Sequence, residues 1–510
     1  MAGFLIESGV YFLLLFTPFA FGGVELWAQG VLQIVTGIIV FAWILGRSPT
    51  DPGRPMKRAP VWALGVPIGL FALLAVLQLI PMPSSWVRTL SPGTYDLYAA
   101  SLPGYTAGEG FTGADLVDRI VRSRADEIPA PRGRPPGPPP ANASTWGGRF
   151  LSTMSPWRTL SLYPGVTLKR LTLFLCYMAL FSVVAGYFRT RGRQARLMTT
   201  CALSAFALTV LGIAQKLTWN GALYWVRQGE YENVFGPFVN RNSYAAFAGT
   251  IAPIGVVMSL EALRQVRQKR EGAMARLLFW GFVSATIAGG VCLSLSRGGI
   301  LAMALSMILI ACMLIYFGRK VPELSVLLLV AVLCVGFLAW IGPEAVVERI
   351  GTLSEGRSVP AFAARTQAWE RTIPMIQDHP AFGTGLGTFR YAFLRYAPPG
   401  ERWWTTAHNE YLEVLCDTGI VGTVVFLMGA GAFVFFVARP GRFRHRSARY
   451  LYMGLVSGIA GLLVHSAVSS NLQVPANGLL LVVLSAALLR LVVDHGPRGG
   501  AFLAPPPRDR

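Results

Sequence analysis

Residues 277–317 read LLFWGFVSATIAGGVCLSLSRGGILAMALSMILIACMLIYF. Two apolar runs, 277–295 and 299–317, flank a turn whose only charge is Arg297, in Ser294-Leu-Ser-Arg-Gly-Gly299. Each run is long enough to cross the ~30 Å hydrocarbon core of a bilayer at ~1.5 Å per residue. Each is also continuously apolar rather than alternating, so the spanning form is a helix and not a barrel strand. Similar runs recur outward from this pair at 4–21, 27–45, 61–80, 168–188, 197–215, 243–263, 322–341, 418–437, 451–469 and 477–493. The pattern predicts an all-α integral membrane protein with about twelve transmembrane helices. A composition of 53% hydrophobic and only 14% charged residues over 510 positions agrees with it.

The net charge of +20 is distributed as a topology signal. Alternate connections are strongly basic: Arg47, Arg54, Lys57 and Arg58; then Arg189, Arg191, Arg193 and Arg196. Next come Arg264, Arg267, Lys269, Arg270 and Arg276, then Arg319 and Lys320, and finally Arg439, Arg442, Arg444, Arg446 and Arg449. The intervening connections hold few cations, mainly Arg227, Arg241 and Arg297. Positive charge collects in cytoplasmic loops, so both termini are expected in the cytoplasm. A nucleic-acid partner is not expected, because the basic residues form no patch of their own. No basic residue precedes the first apolar run and further spans follow at once, which argues against a removable signal peptide. The six cysteines lie within or beside apolar spans without CxxC spacing, and read as small core residues.

The expected organisation is helices 1–3 over 1–80, an outer Pro-rich loop over 81–167, and helices 4–9 over 168–341. A large outer loop over 342–417 follows, then helices 10–12 with a cytoplasmic tail over 418–510. Pro129 to Pro140 (PAPRGRPPGPPP) is a disordered or polyproline linker by composition. The large loop instead mixes aromatics, arginines and glycines like a folded subdomain. Its spacing predicts a helix from Ala361 to about Ile376 with Arg365, Trp369, Thr372 and Ile376 on one face. Pro374 kinks the last turn. A short helix carrying Phe389, Phe393 and Tyr396 follows. From Thr406 the chain is expected to return helically to the membrane, with His408 stacked over Leu412 and Asn409 over Glu413.

Arg297, Asn240-Arg241-Asn242, Arg365 and His408 are remote in sequence and are all expected at the outer surface. An arginine at membrane depth is costly unless partnered, which marks it as a functional candidate; the plainer alternative is a turn residue snorkelling to the interface. Forked guanidinium donors suit phosphate oxygens, and two of them neutralise a diphosphate without a metal. The outer segments show no DxD pair, no HExxH and no clustered carboxylates, so no metal or cofactor is expected. A neutral imidazole at His408 suits a general base, against a locally bonded helix-start histidine. Glu413 either orients the site or stabilises its helix's first turn. His379, before Pro380, reads as turn punctuation. Gly383-Thr-Gly-Leu-Gly387 reads as a tight turn and not a dinucleotide fingerprint, since no strand precedes it. Asn142-Ala-Ser144 is a chance sequon.

The stretch His408-Asn-Glu-Tyr-Leu with Glu413 and Asp417-Thr-Gly-Ile-Val-Gly422 resembles the hallmark of the O-antigen ligase and polymerase family. Ser296-Arg-Gly-Gly299, Arg365-x3-Trp369…Pro380-x4-Gly385-x-Gly387 and Phe235-Gly-Pro-Phe-Val-Asn-Arg-Asn242 resemble the same family's pattern. Leu77-Gln-Leu-Ile-Pro81 and Trp157-Arg-Thr-Leu-Ser161 recur in its longer-looped members. The resemblance implies a GT-C-like fold in the bacterial inner membrane with a periplasmic active site. It implies inverting, metal-independent transfer of a glycan from undecaprenyl diphosphate to an acceptor hydroxyl. Arg297 and Arg365, with Arg241 as a looser match, are then diphosphate ligands, and His408 deprotonates or positions the acceptor. Asn240, Asn242, Asn409 and Glu413 are supporting residues. The acceptor class (lipid A core, growing glycan or protein) stays open. Membrane lipids and a chain-length regulator at the Pro-rich insertion, which compact ligases lack, are the other candidate partners. The rival reading is a transporter or flippase for lipid-linked oligosaccharide. Transporters usually place polar groups at the midplane between related halves, whereas here they gather at one surface.

Overall fold

The computed structural model describes residues 1–46, 61–102, 105, 157–229, 234–318, 328, 332, 359–397, 404–438, 443 and 445–495. Ten of its helices are long and apolar enough to cross a membrane. They are α1 (Ala2–Phe19), α2 (Leu26–Leu45), α6 (Pro164–Tyr187), α7 (Arg191–Leu217) and α8 (Arg241–Arg267). The others are α9 (Ala273–Leu293), α10 (Arg297–Tyr316), α13 (Glu410–Val437), α14 (Arg446–Ser466) and α15 (Pro475–His495). A shorter apolar stretch fills most of α3 (Val61–Leu79), where a span was expected. The expected span 322–341, residues 328 and 332 apart, and the Pro-rich run 129–140 lie outside the described residues. The all-α expectation needs one small amendment: Ala222–Leu223 (β1) and Arg227–Gln228 (β2) pair as an antiparallel hairpin between α7 and α8.

Helix starts follow side-chain capping chemistry. Thr190, Asn240, Ser296 and Asn409 each accept a backbone N–H of the first turn of α7, α8, α10 and α13. Helix α8 forms the centre, packed on α7, α9, α10, α14 and α15, with 83% of its most apolar stretch buried. Glycines permit this closeness. A Cβ at Gly458 of α14 would lie 2.3 Å from the Thr250 carbonyl oxygen of α8, and one at Gly461 would lie 2.1 Å from Ser306 Oγ of α10. Close backbone approach of this kind replaces the hydrophobic driving force that helices lose in lipid. Helix α13 is the opposite case, with only 11% of its most apolar stretch buried. Ile420, Val424, Leu427, Val434 and Phe435 of α13 are exposed, as a lipid-facing surface requires.

Outside the spans, α4 (Ser84–Leu90) and α5 (Pro92–Ser101) follow α3. The large loop contains α11 (Val359–Asp378), α12 (Phe389–Ala392) and a 3-10 turn at Phe393–Arg395. It has an apolar core of its own in Met375, Phe389, Phe393, Ala407 and Cys416. His379 ties this unit to α5: its Nδ1 lies 3.2 Å from Ser91 Oγ and 3.1 Å from Thr94 Oγ1, and the ring is buried. That burial pushes the imidazole pKa down to about 4.

Candidate functional site

Helix α13 is broken near its start, and the break organises everything around it. Gly419 adopts φ 64°, ψ −167°, a conformation essentially reserved for glycine. The neighbouring backbone groups lose their helical partners, and the Pro380–Gly387 loop supplies new ones. Thr384 and Gly385 donate to the carbonyls of Cys416 and Asp417, both at 3.0 Å. In return, Ile420 and Val421 donate to the carbonyls of Pro380 and Ala381, at 2.8 and 3.1 Å. The glycines of Gly383-Thr-Gly-Leu-Gly387 all have positive φ, and a Cβ at Gly383 would lie 2.4 Å from the Asp417 carbonyl carbon. The stretch is thus a crossing loop fitted to a bent helix.

Gln78 locks the crossing. Fully buried, it donates to the carbonyls of Phe382 (2.7 Å) and Asp417 (2.9 Å) and accepts from Leu386 N (3.0 Å). Its own carbonyl accepts from Ser161 N, and Leu162 N donates to Thr384. The Leu77–Pro81 and Trp157–Ser161 motifs therefore act as scaffolding for the loop.

Three carboxylates run along one face of α13 at i, i+3 and i+7. Glu410 accepts from the backbone of Leu472 (2.6 Å) and Gln473 (3.2 Å). Glu413 Oε1 accepts from Ala407 N at 2.7 Å and Ser470 Oγ at 2.5 Å. Asp417 takes Gly387 N at 2.6 Å and Phe389 N at 2.9 Å. The expectation of no clustered carboxylates on this face is corrected here: they cluster, because helical spacing and the bend align residues that look scattered in sequence. Glu410 and Glu413 share the loop between α14 and α15, Glu413 also holds the approach to His408, and Asp417 holds the Pro380–Gly387 loop. Among the described residues no group of three or more His, Cys, Asp or Glu is arranged to hold a metal ion.

The expected stacking of His408 over Leu412 is also corrected. The helix begins at Glu410, with the Asn409 side chain capping Tyr411 N (3.1 Å) and Leu412 N (3.2 Å). His408 precedes the cap with φ +52°, a left-handed conformation uncommon in a non-glycine residue. The residue before it is held at both its polar backbone groups: Ala407 N donates to Glu413, and the Ala407 carbonyl accepts from Trp369 Nε1 of α11 at 2.7 Å. The imidazole meets Trp404 edge-on, with ring centroids 5.6 Å apart.

The arginine-bearing turns meet at the same end of the bundle. Ser296 Oγ, before Arg297, donates to Asn242 Oδ1 at 2.7 Å; Asn242 N donates to Asn240 Oδ1 at 2.8 Å. The starts of α8 and α10, carrying Arg241 and Arg297, are thereby fastened together. Lys216 caps the end of α9 through the Leu293 carbonyl at 2.7 Å and lies within electrostatic reach of Arg241. His465, buried near the end of α14, packs on Gly298 and Gly299. Arg365 lies within electrostatic reach of that imidazole, and burial pulls its guanidinium pKa downward. It stays charged at any physiological pH. Tyr411 donates to the Leu463 carbonyl at 2.8 Å, joining α13 to α14 beside these groups.

Sequence reasoning missed Glu410, Asp417, Arg170, His465 and Gln78. Arg170 is a charge inside an apolar run, the signal used for Arg297. The i, i+3, i+7 spacing of the carboxylates was equally visible. Gln78 was marked only by its place in the Leu77-Gln-Leu-Ile-Pro81 motif, and its side-chain partners lie some 300 positions away.

No curated protein matches the chain. Residues 282–427, the segment carrying Arg297, Arg365, His408 and the carboxylate face of α13, match the family model described as O-Antigen ligase, so this segment of the chain is similar to that family.

Proposed function

We propose that this chain is a lipid-linked glycan transferase of the ligase or polymerase type, on a GT-C-like scaffold at the periplasmic face of a bacterial inner membrane. One observation carries the reading: the family match falls on the segment that holds two outer-end arginines and a histidine pinned in a strained backbone. Arg297 and Arg365, assisted by Arg241, hold the two phosphates of an undecaprenyl-diphosphate donor with forked guanidinium contacts. Asn240 and Asn242 set the turn carrying Arg241 and Arg297. Asn409 and Glu413 fix the approach to His408.

In the reaction, the acceptor hydroxyl oxygen attacks the anomeric carbon while His408 takes its proton. The bond from that carbon to the diphosphate oxygen breaks, and undecaprenyl diphosphate leaves with the electron pair, inverting the centre. The guanidinium groups meet the negative charge that grows on the leaving group. Backbone strain at a proton-transfer residue fits a pre-organised base.

The test is the glycan profile of a deletion strain complemented with wild type or His408→Ala. Single repeat units left on the carrier or acceptor identify a polymerase, and long glycan accumulating on undecaprenyl diphosphate identifies a ligase. His408→Ala is expected to restore transfer about 10²–10⁴-fold less well than wild type. An unchanged glycan profile in the deletion strain overturns the proposal.

A further inference from the structure

At the end of the bundle opposite His408, a cavity of about 300 Å³ lies among α7, α8, α9, α14 and α15. Met198, Val257, Met258, Trp280, Leu451 and Leu491 give it apolar walls. Its polar residues come from helix ends. Arg191 and Gln194 belong to the first turn of α7, Arg276 to that of α9 and Ser447 to that of α14. Both arginines are exposed. The acid in the wall, Glu261, is already engaged: Arg264 bonds both its oxygens, and Gln265 donates to it at 3.3 Å. Nearby, Glu7 takes Arg193 and Arg196. Among the described residues Arg191 and Arg276 have no carboxylate partner; Arg276 donates instead to the Glu271 carbonyl at 3.0 Å. The cavity thus joins an apolar interior to a cationic edge, where three helix N-termini add partial positive charge.

We propose that this cavity holds part of one acyl chain of an anionic phospholipid, with the lipid phosphate on Arg191 and Arg276. The inference is independent of the glycan-transfer reading above. Position, size and charge agree. This end collects the basic connections over 189–196 and 264–276 and is expected to face the cytoplasm. Basic pockets between spanning helices on that side suit anionic headgroups. At ~30 Å³ per water the cavity equals about ten waters. A methylene group is close to a water in volume, so the space takes a stretch of one chain and not two whole ones. Water gains little from apolar walls, whereas hydrocarbon placed there leaves water behind. A phosphodiester carries one negative charge, which forked guanidinium donors match. A zwitterionic lipid would bring its own cation towards two arginines, so the site favours the anionic one. A lipid seated here fastens the starts of α7, α9 and α14 to one another.

The probes are phosphatidylglycerol and phosphatidylcholine with identical acyl chains, added to the full-length protein in neutral detergent and read by native mass spectrometry. Wild type is expected to retain one phosphatidylglycerol and to bind it about 10-fold or more tightly than phosphatidylcholine. The double variant Arg191→Gln, Arg276→Gln should bind phosphatidylglycerol about 10–30-fold more weakly and lose the preference. Ala195→Trp, at an exposed position lining the cavity, keeps both arginines but fills the space, and should weaken both lipids. Arg270→Ala removes an exposed charge outside the cavity at the same end and should bind like wild type. All four positions are exposed, so the variants keep the packed interior intact. A rise in melting temperature on adding phosphatidylglycerol, present in wild type and absent in the double variant, is the second readout. Equal affinity for the two lipids in wild type overturns the proposal. So does an equal loss in Arg270→Ala, which would mean attraction to the charged surface at large. Undiminished binding by Ala195→Trp overturns the placement of the chain in the cavity.

Discussion

The two ends of the helix bundle use their acidic residues differently. At the end opposite His408, acids neutralise arginines. Glu7 bonds Arg193 and Arg196 at 3.0 and 2.8 Å, and Glu261 pairs with Arg264, as does Asp494 with Arg490. At the His408 end, a peripheral Arg227–Glu25 pair apart, Glu410, Glu413 and Asp417 instead accept from backbone amides and Ser470. Arg170, close to Gly387, bonds oxygens of Gln473 and not a carboxylate. Among the described residues, acids at one end pair with arginines, whereas the three carboxylates of α13 at the other end hold loops through backbone amides and Ser470.

Several substitutions break or sharpen this contrast. The largest effect on stability belongs to the crossing of α13 and the Pro380–Gly387 loop. Gly419→Ala forces a Cβ to within 2.4 Å of the Ala381 carbonyl oxygen at a conformation alanine avoids, and should cost about 4 kcal/mol. Thermal unfolding in detergent reads it directly. Asp417→Ala leaves the N–H groups of Gly387 and Phe389 without their acceptor and should cost about 3 kcal/mol. An unchanged melting temperature for either variant would remove the loop-shaping role from this end.

A pH dependence comes next. The His379 pKa is lowered to about 4 in the fold, from its ordinary 6.5, so the folded state favours the neutral ring. Its contribution is complete above pH 6.5 and is lost as pH falls from there through 4, a span of about 3 kcal/mol. Melting temperatures between pH 7.5 and 4.5 should show this slope in wild type and a shallower one in His379→Asn. Smallest is the opposite end, where Glu261→Ala removes a part-exposed i,i+3 pair and should cost less than about 1 kcal/mol. A cost there equal to that of Asp417→Ala would erase the difference between the ends.

The bundle was largely legible because spanning helices must be long, apolar and internally bonded. The helix over Val359–Asp378 and the short aromatic helix after Thr388 were legible from periodicity and proline placement. The bend at Gly419 was hidden inside an apolar run whose glycines looked like ordinary span residues. His408 was misplaced because capping by Asn409, one residue later, decides where the helix starts. The arginines and the histidine were visible as charges where charge is expensive. The role of Gln78 was not, even inside a quoted motif, since a buried amide acquires its role only from backbone groups brought in by distant loops.

The most direct test of the central claim is the affinity of the purified protein for undecaprenyl diphosphate, compared between Arg365→Ala at the His408 end and Arg193→Ala at the other. The account predicts about 10-fold or greater weakening for Arg365→Ala and no change for Arg193→Ala. Equal affinities for both variants and wild type would contradict it.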